Sequence, residues 1–297
     1  MKKAILKPLV FFAAGAVLLN SCGEEAKTQK KVEEETFDET NSFRAVFDDQ
    51  IFSIPSPIQT GYLIKKLNLN FDESLLSDRS TVSNYASEHK QALNLGVYGT
   101  DLGYASMYGQ KNTSLNYLKT IETLSDALGL DAAFSAKFIA EYESNSGNED
   151  KTVKLMSQAF KSADNFLKDA NRKSVSAKIL TGGWVESMHY ATTLNSRTQS
   201  EDIQRRIAQQ KQSLESIIEL LGQYNEDKTN DELLVQLKDL KESFDKIVLE
   251  YVYDAPSTEA DNNRTKLNHT YNIEFDEAIA EEITAKIAVI RNGIIKA

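Results

Sequence analysis

No proline falls between residues 58 and 255. The chain has 297 residues and four prolines, Pro8, Pro55, Pro57 and Pro256. Proline lacks the backbone donor and its ring collides with the preceding turn, so helix interiors exclude it. So long a stretch without one, rich in Ala, Leu, Lys, Glu, Gln and Ile, is composed for helices. The expected fold class is all-α: an antiparallel helical bundle or helical-hairpin stack of about 8–10 helices with short connections. A solenoid is the runner-up architecture, although no repeat of fixed period is legible.

The spacing of apolar residues places the helices. A short one is expected over 58–68, and one broken or two short helices over 80–95 and 97–109, punctuated by Gly96, Gly99 and Gly103. Residues 114–128 form the next, with Gly129 as its C′ stop. Helices over 131–144, 149–170 and 174–194 follow. The 149–170 stripe is Val153, Met156, Phe160, Ala163 and Leu167, which share one helix face. Thr198 with Glu201, and Thr229 with Glu232, fit capping boxes. They open helices running to about residue 222 and to Tyr251, expected to pack as a hairpin. Residues 254–270 read as a polar loop and 273–296 as the last helix.

The amino terminus is of another kind. Lys2 and Lys3 precede an apolar run from Leu9 to Leu19, which ends in Asn20-Ser21-Cys22. The run is too short for a membrane span and has the layout of a secretory signal. Its end resembles the lipobox of bacterial lipoproteins, with Leu19 at −3, Ser21 at −1 and then Cys22, the only cysteine. That resemblance implies a signal peptide over 1–21, cleavage before Cys22 and acylation of Cys22, palmitate included. Two or more acyl chains on one residue give firm membrane attachment. Gly23-Glu24-Glu25 also looks like the acidic signal after the cysteine in Bacteroidota surface lipoproteins. The resemblance therefore implies the outer membrane, with the periplasmic and surface-exposed faces both open. The body resembles helical envelope lipoproteins of unknown function in style alone, and no catalytic residue carries over.

Residues 22–42 are expected to be a disordered tether, since so many charges among so few apolar residues cannot bury a core. Residues 43–57, with Phe43, Val46, Phe47, Ile51, Phe52 and Ile54, read as a short extended or irregular segment whose aromatics pack onto the body. Residues 43–297 are expected to form a single all-α domain. The formal net charge is −10, and removing the leader with its Lys2, Lys3 and Lys7 takes it to −13. A chain that acidic is not expected to bind nucleic acid, because phosphate contacts need Lys and Arg. The lipid at Cys22, not the protein surface, is expected to supply the membrane contact.

Candidate chemistry is sparse. There is no Gly-x-Ser-x-Gly, no phosphate-cradling loop and no dinucleotide fingerprint. The histidines are His89, His189 and His269; His89 is expected on a solvated face and His269 in the polar loop. Glu186 and His189 are one helical turn apart, the spacing that di-metal bundles use in duplicate. Here it occurs once, and a partly buried Glu–His hydrogen bond is the reading; no metal and no cofactor are expected. Gly182-Gly183 beside Trp184, and Gly99 with Gly103, sit inside helical runs although each glycine costs about 1 kcal/mol relative to alanine. Either the two glycine-bearing helices pack closely on each other, or Tyr98, Asp101, Tyr104, Trp184, Glu186, His189 and Tyr190 line a ligand pocket between 94–109 and 174–194. The expected function is a lipid-anchored envelope protein that binds or scaffolds, with an envelope protein as the partner to expect, rather than an enzyme. The alternative is a small-molecule or sugar-binding protein using that pocket.

Overall fold

The computed structural model describes residues 44–48, 50–53, 61, 64–259, 264–266, 268 and 270–296. The leader, Cys22, the tether and His269 lie outside the described residues. Nine α-helices of eight or more residues make up the described body, so the all-α bundle expectation holds. They are α1 Glu88–Met107, α2 Lys111–Ala127, α3 Ala136–Ser144, α4 Glu149–Asp169, α5 Lys173–Thr198, α6 Glu201–Ala208, α7 Lys211–Gln223, α8 Asp231–Asp245 and α9 Glu277–Ile295. None of the described helices is long and apolar enough to cross a membrane.

Two helices without a polar face form the spine. In α1 every residue from Ala92 to Met107 is buried, and α5 is buried on nearly all sides from Val175 to Asn195. A helix enclosed all round belongs in the middle of a core. Glycine explains how the two lie so close. A Cβ on Gly96 would sit 2.6 Å from the backbone nitrogen of Gly183, and one on Gly182 would press into the Leu93 carbonyl. The expected contact between the glycine-bearing helices is therefore backbone against backbone. Gly99 differs: a Cβ there would strike the ring of Phe160 on α4. α1 is one unbroken helix rather than two, because its glycines sit against neighbours that exclude water and replace the lost side-chain contacts.

Two apolar clusters flank this spine. One joins α1, α2, α3 and α4 with the start of α5, through Tyr98, Tyr117, Ile121, Tyr142, Met156 and Leu167. The other joins α5 to α6, α7, α8 and α9, through Trp184, Met188, Ile217, Leu237, Phe244, Ile283 and Ile287. α1 and α5 contribute to both. The α4 stripe is as expected, with Val153, Met156, Ala163 and Leu167 buried and Phe160 half-buried against the first cluster. Gly129 is the expected stop: at φ 68° it closes α2, with its N–H on Asp126 and the N–H of Leu130 on Ser125, the pairing of a Schellman cap.

Several boundaries differ. Thr198 is the last residue of α5 and Ser200 is the N-cap of α6, while Asn230 is the N-cap of α8; neither cap residue makes a side-chain capping bond. Neither capping box forms, because the hydroxyl of Thr198 donates to Leu194 O and that of Thr229 to Asp227. The helix expected from 198 to 222 is broken into α6 and α7 at Gln209 and Gln210, where the Gln210 amide accepts the buried indole N–H of Trp184 at 3.2 Å. The helix expected to reach Tyr251 stops at Asp245. β3 Val248–Val252 then pairs with β6 Thr270–Glu274, and β4 Ser257–Glu259 with β5 Arg264–Lys266, both antiparallel. The β-branched and aromatic run Val-Leu-Glu-Tyr-Val prefers the extended ladder. At the root of this ribbon Leu249 and Ile273 pack on the second cluster, whereas Val248, Tyr251 and Tyr253 are more than half exposed.

The segment expected to be extended is a small hairpin, β1 Arg44–Phe47 on β2 Gln50–Ser53. Its Phe47 is buried against Tyr224, with the ammonium of Lys168 over the ring at 4.1 Å.

Candidate functional site

Charged side chains meet in the middle of the spine. Asp101 on α1 and Glu186 on α5 are both fully buried. Arg291, from the otherwise isoleucine-lined face of α9, grips Glu186 with two bonds: Nε to Oε2 at 2.6 Å and Nη2 to Oε1 at 2.8 Å. A two-point guanidinium–carboxylate pair is the strong and oriented form of this contact. Asp101 accepts the hydroxyl proton of Tyr190 and the backbone N–H of Ser77, the latter at 3.2 Å. Glu186 thus takes the guanidinium, and Asp101 is held by neutral donors. Burial, and next the charge of Glu186, push the Asp101 carboxyl well above the usual carboxylate range. Burial and the neighbouring Asp101 likewise raise the Tyr190 phenol, which stays a donor.

This centre holds a surface loop. Between residues 71 and 85 the chain makes only two 3-10 turns, Glu73–Leu75 and Val82–Asn84. Its middle is clamped from beneath. Arg291 Nη2 donates to Ser77 Oγ at 2.7 Å, Tyr117 donates to Ser77 O at 2.5 Å and Tyr98 donates to Asp78 O at 2.8 Å. Asp78 turns its carboxylate onto the N–H and hydroxyl of Ser80, an Asx turn that fixes the next step of backbone. Loops usually owe their position to their ends; this one is held at its centre by buried groups.

Beside the loop lies an open cleft of about 630 Å³, walled by residues 73–82 on one side and by α2 on the other. Ser77 and Tyr117 belong both to the clamp and to the cleft. The Arg79 guanidinium lies 5.3 Å from the centre of the Tyr117 ring. Asn116, Lys119, Thr120 and Thr123 face it from α2. Hydroxyls, an amide and charges of both signs outnumber the apolar Leu76 and Val82.

The residues singled out from the sequence fall into three groups. Asp101, Glu186 and Tyr190 come together, but in solid interior; about 10 Å³ of space remains where Gly99, Gly103, Tyr104 and Tyr190 meet. That is barely a single water, so this gap is not ligand-sized. Tyr98 and Tyr104 serve the loop, Tyr98 through Asp78 and Tyr104 by accepting the N–H of Asp72 at 3.0 Å. Trp184 faces Gln210, away from the acids. His189 does not pair with Glu186, whose two oxygens are taken by Arg291 and Ser77. It lies 3.4 Å from the Thr193 hydroxyl, and burial, then Arg291 and Arg197, hold its pKa down at about 3. His89 is half-buried rather than solvated, and burial, then Lys178 and Lys90, lower it to about 4. Among the described residues no cluster of His, Cys, Asp and Glu is placed to hold a metal ion.

Arg291, Ser77, Tyr117 and Arg79 were not singled out from the sequence. Arg291 left one trace: a lone cation in the stripe Ile283, Ile287, Ile290, Ile294, where a charge needs a buried counterpart. No family model matches the chain, and neither the curated proteins nor the solved structures contain a significant match.

Proposed function

We propose that this chain is a lipid-anchored protein of the bacterial cell envelope, attached to the outer membrane through acylated Cys22. Its helical body acts there as a binding module. The cleft between the 73–82 loop and α2 receives a small, hydroxyl-rich molecule of the sugar or peptidoglycan-fragment class. The observation that carries this reading is the clamped loop. Burying two carboxylates and a guanidinium is expensive in free energy, and here that arrangement orders one wall of a polar cleft in advance of any ligand. Preordered walls lower the entropy lost on binding. The mixed hydroxyl, amide and charged lining suits a neutral polyhydroxylated ligand, which needs donors and acceptors in alternation.

The test is thermal unfolding of the full chain in non-ionic detergent against sugars and peptidoglycan fragments. A ligand at a hundred times its Kd stabilises by about 2.7 kcal/mol. The shift should vanish in Arg79→Ala/Thr120→Ala, two changes at the cleft wall. No shift with any compound would refute the small-molecule reading. Scaffolding for an envelope protein partner would then stand, on the strength of Val248, Tyr251, Val252 and Tyr253 exposed along the β3–β6 ribbon. Anchoring is tested separately by incorporation of labelled palmitate, expected in the native chain and absent from Cys22→Ala.

A further inference from the structure

A second concavity, of about 400 Å³, runs between the C-terminal end of α5, α6 and α9. Its chemistry leans to acceptors. Glu277 and Glu281 line it from successive turns of α9; neither makes an ion pair among the described residues, and Glu277 accepts only a long 3.4 Å bond from the amide of Gln199, which lines the groove with Gln204. The very next carboxylate, Glu282, is held by both Lys246 and Lys286. No Lys, Arg or His lines the groove. Its hydroxyls have spent their protons: Thr284 donates to Ala280 O at 2.7 Å and Ser196 to Thr193 O at 2.8 Å, leaving only lone pairs to offer. In the wall, Asn195 is 4% exposed and its side-chain carbonyl is buried with no hydrogen-bond partner. A buried acceptor left unmade costs about 1–3 kcal/mol, so it marks a place where a donor is wanted. Between these acceptors Ala280, Ala285 and Ala288 supply a smooth apolar strip.

We infer that this groove binds an organic cation, an ammonium or guanidinium group on a short aliphatic stem. The head meets Glu277, Glu281 and the Asn195 carbonyl, and the stem lies along the alanines. Two carboxylates with a few neutral oxygens make a sparse cage for calcium, which takes six to eight oxygen ligands. A cationic organic head satisfies several acceptors at once through its fixed N–H donors. The net charge of −10 adds long-range attraction for such a ligand. This site is separate from the cleft at the 73–82 loop and stands whether or not that cleft binds a sugar.

Isothermal titration of the full chain in non-ionic detergent tests it, with 1,5-diaminopentane in one arm and N-acetyl-lysine methylamide in the other. Saturable binding that weakens as salt is added is expected in at least one arm. Binding of the diamine assigns a free amine; binding of the lysine derivative alone assigns a peptide side chain. Glu277→Gln/Glu281→Gln alters two exposed residues, so its unliganded melting temperature should match that of the native chain while affinity falls roughly tenfold or more. Ala285→Lys places an ammonium one turn beyond Glu281 and should block the groove with the protein's own cation. The inference is overturned if neither amine binds at millimolar concentration, if the double variant binds as the native chain does, or if calcium displaces the amine one for one.

Discussion

Replacing Gly182 by alanine should destabilise this protein, although alanine is the better helix former. The added Cβ would lie 2.8 Å from the carbonyl carbon of Leu93 and 3.1 Å from its Cα, with the carbonyl oxygen nearer still. Carbon atoms rest at about 3.5–4.0 Å, so α1 and α5 would have to part by roughly 1 Å. The obstacle is backbone, which has no rotamer to change. Overpacking of this kind costs about 1–3 kcal/mol or more, and here the upper end applies because both apolar clusters are built on the moving pair. Alanine returns about 1 kcal/mol of helix preference. The net loss is about 2 kcal/mol, a fall of roughly 4–8 °C in melting temperature for a body of this size. Gly222 and Gly293 are the controls: a Cβ at either meets no atom within 4 Å. Alanine there should stabilise by up to about 1 kcal/mol. Differential scanning calorimetry on the three variants decides the matter. If Gly182→Ala raised the melting temperature as Gly222→Ala does, the backbone contact between α1 and α5 would be refuted.

Two further outcomes follow from the buried centre. Arg291→Met leaves Glu186 buried without its cation and should cost about 3–5 kcal/mol. Arg291→Met/Glu186→Leu should be more stable than that single variant in urea denaturation, and a double variant weaker than the single would contradict the pairing. The pH dependence of stability should have two opposed parts. His189 and His89 titrate at about 3 and about 4 in the folded chain against an ordinary 6.5, so the unfolded chain takes up protons first on acidification. Their contribution is full above pH 6.5 and is lost as pH falls toward those values. Asp101 is raised, so its contribution is present below the ordinary carboxylate value and is lost as pH rises through its folded pKa. Urea midpoints against pH should therefore fall less steeply below pH 6.5 in His189→Gln and lose the decline that sets in above the ordinary carboxylate value in Asp101→Asn; curves superimposable on the native one would exclude these groups as the cause.

The helices were legible because their signals are local. The absence of proline, the α4 stripe and the glycine after α2 each act within a few residues of where they are written. Ile247 and Tyr251 illustrate the limit: they prolong a 3–4 spacing beyond Asp245 by coincidence, and pairing with residues 270–274 decides that segment. The break at Gln209–Gln210 carries neither glycine nor proline, and the indole that meets Gln210 there, that of Trp184, lies on another helix. The centre was half legible. Glu186 and Asp101 stood out beside their glycines, but Glu186 was matched with the histidine one turn away. Its partner is Arg291, on the last helix, a pairing that spacing along a helix cannot reveal.

The reach of that pairing orders events in time. Loop residues 75–77, α1, α5 and α9 must all be present before Glu186 finds its cation and Asp101 its donors. The end of α9 is also where Lys90 and Tyr85 anchor, through the carbonyls of Gly293 and Ile295. A chain emerging from its amino terminus would therefore hold uncompensated acids in its half-built spine until its final turns arrive. Partial chains should remain open and loosely collapsed, and closure should come late and at once.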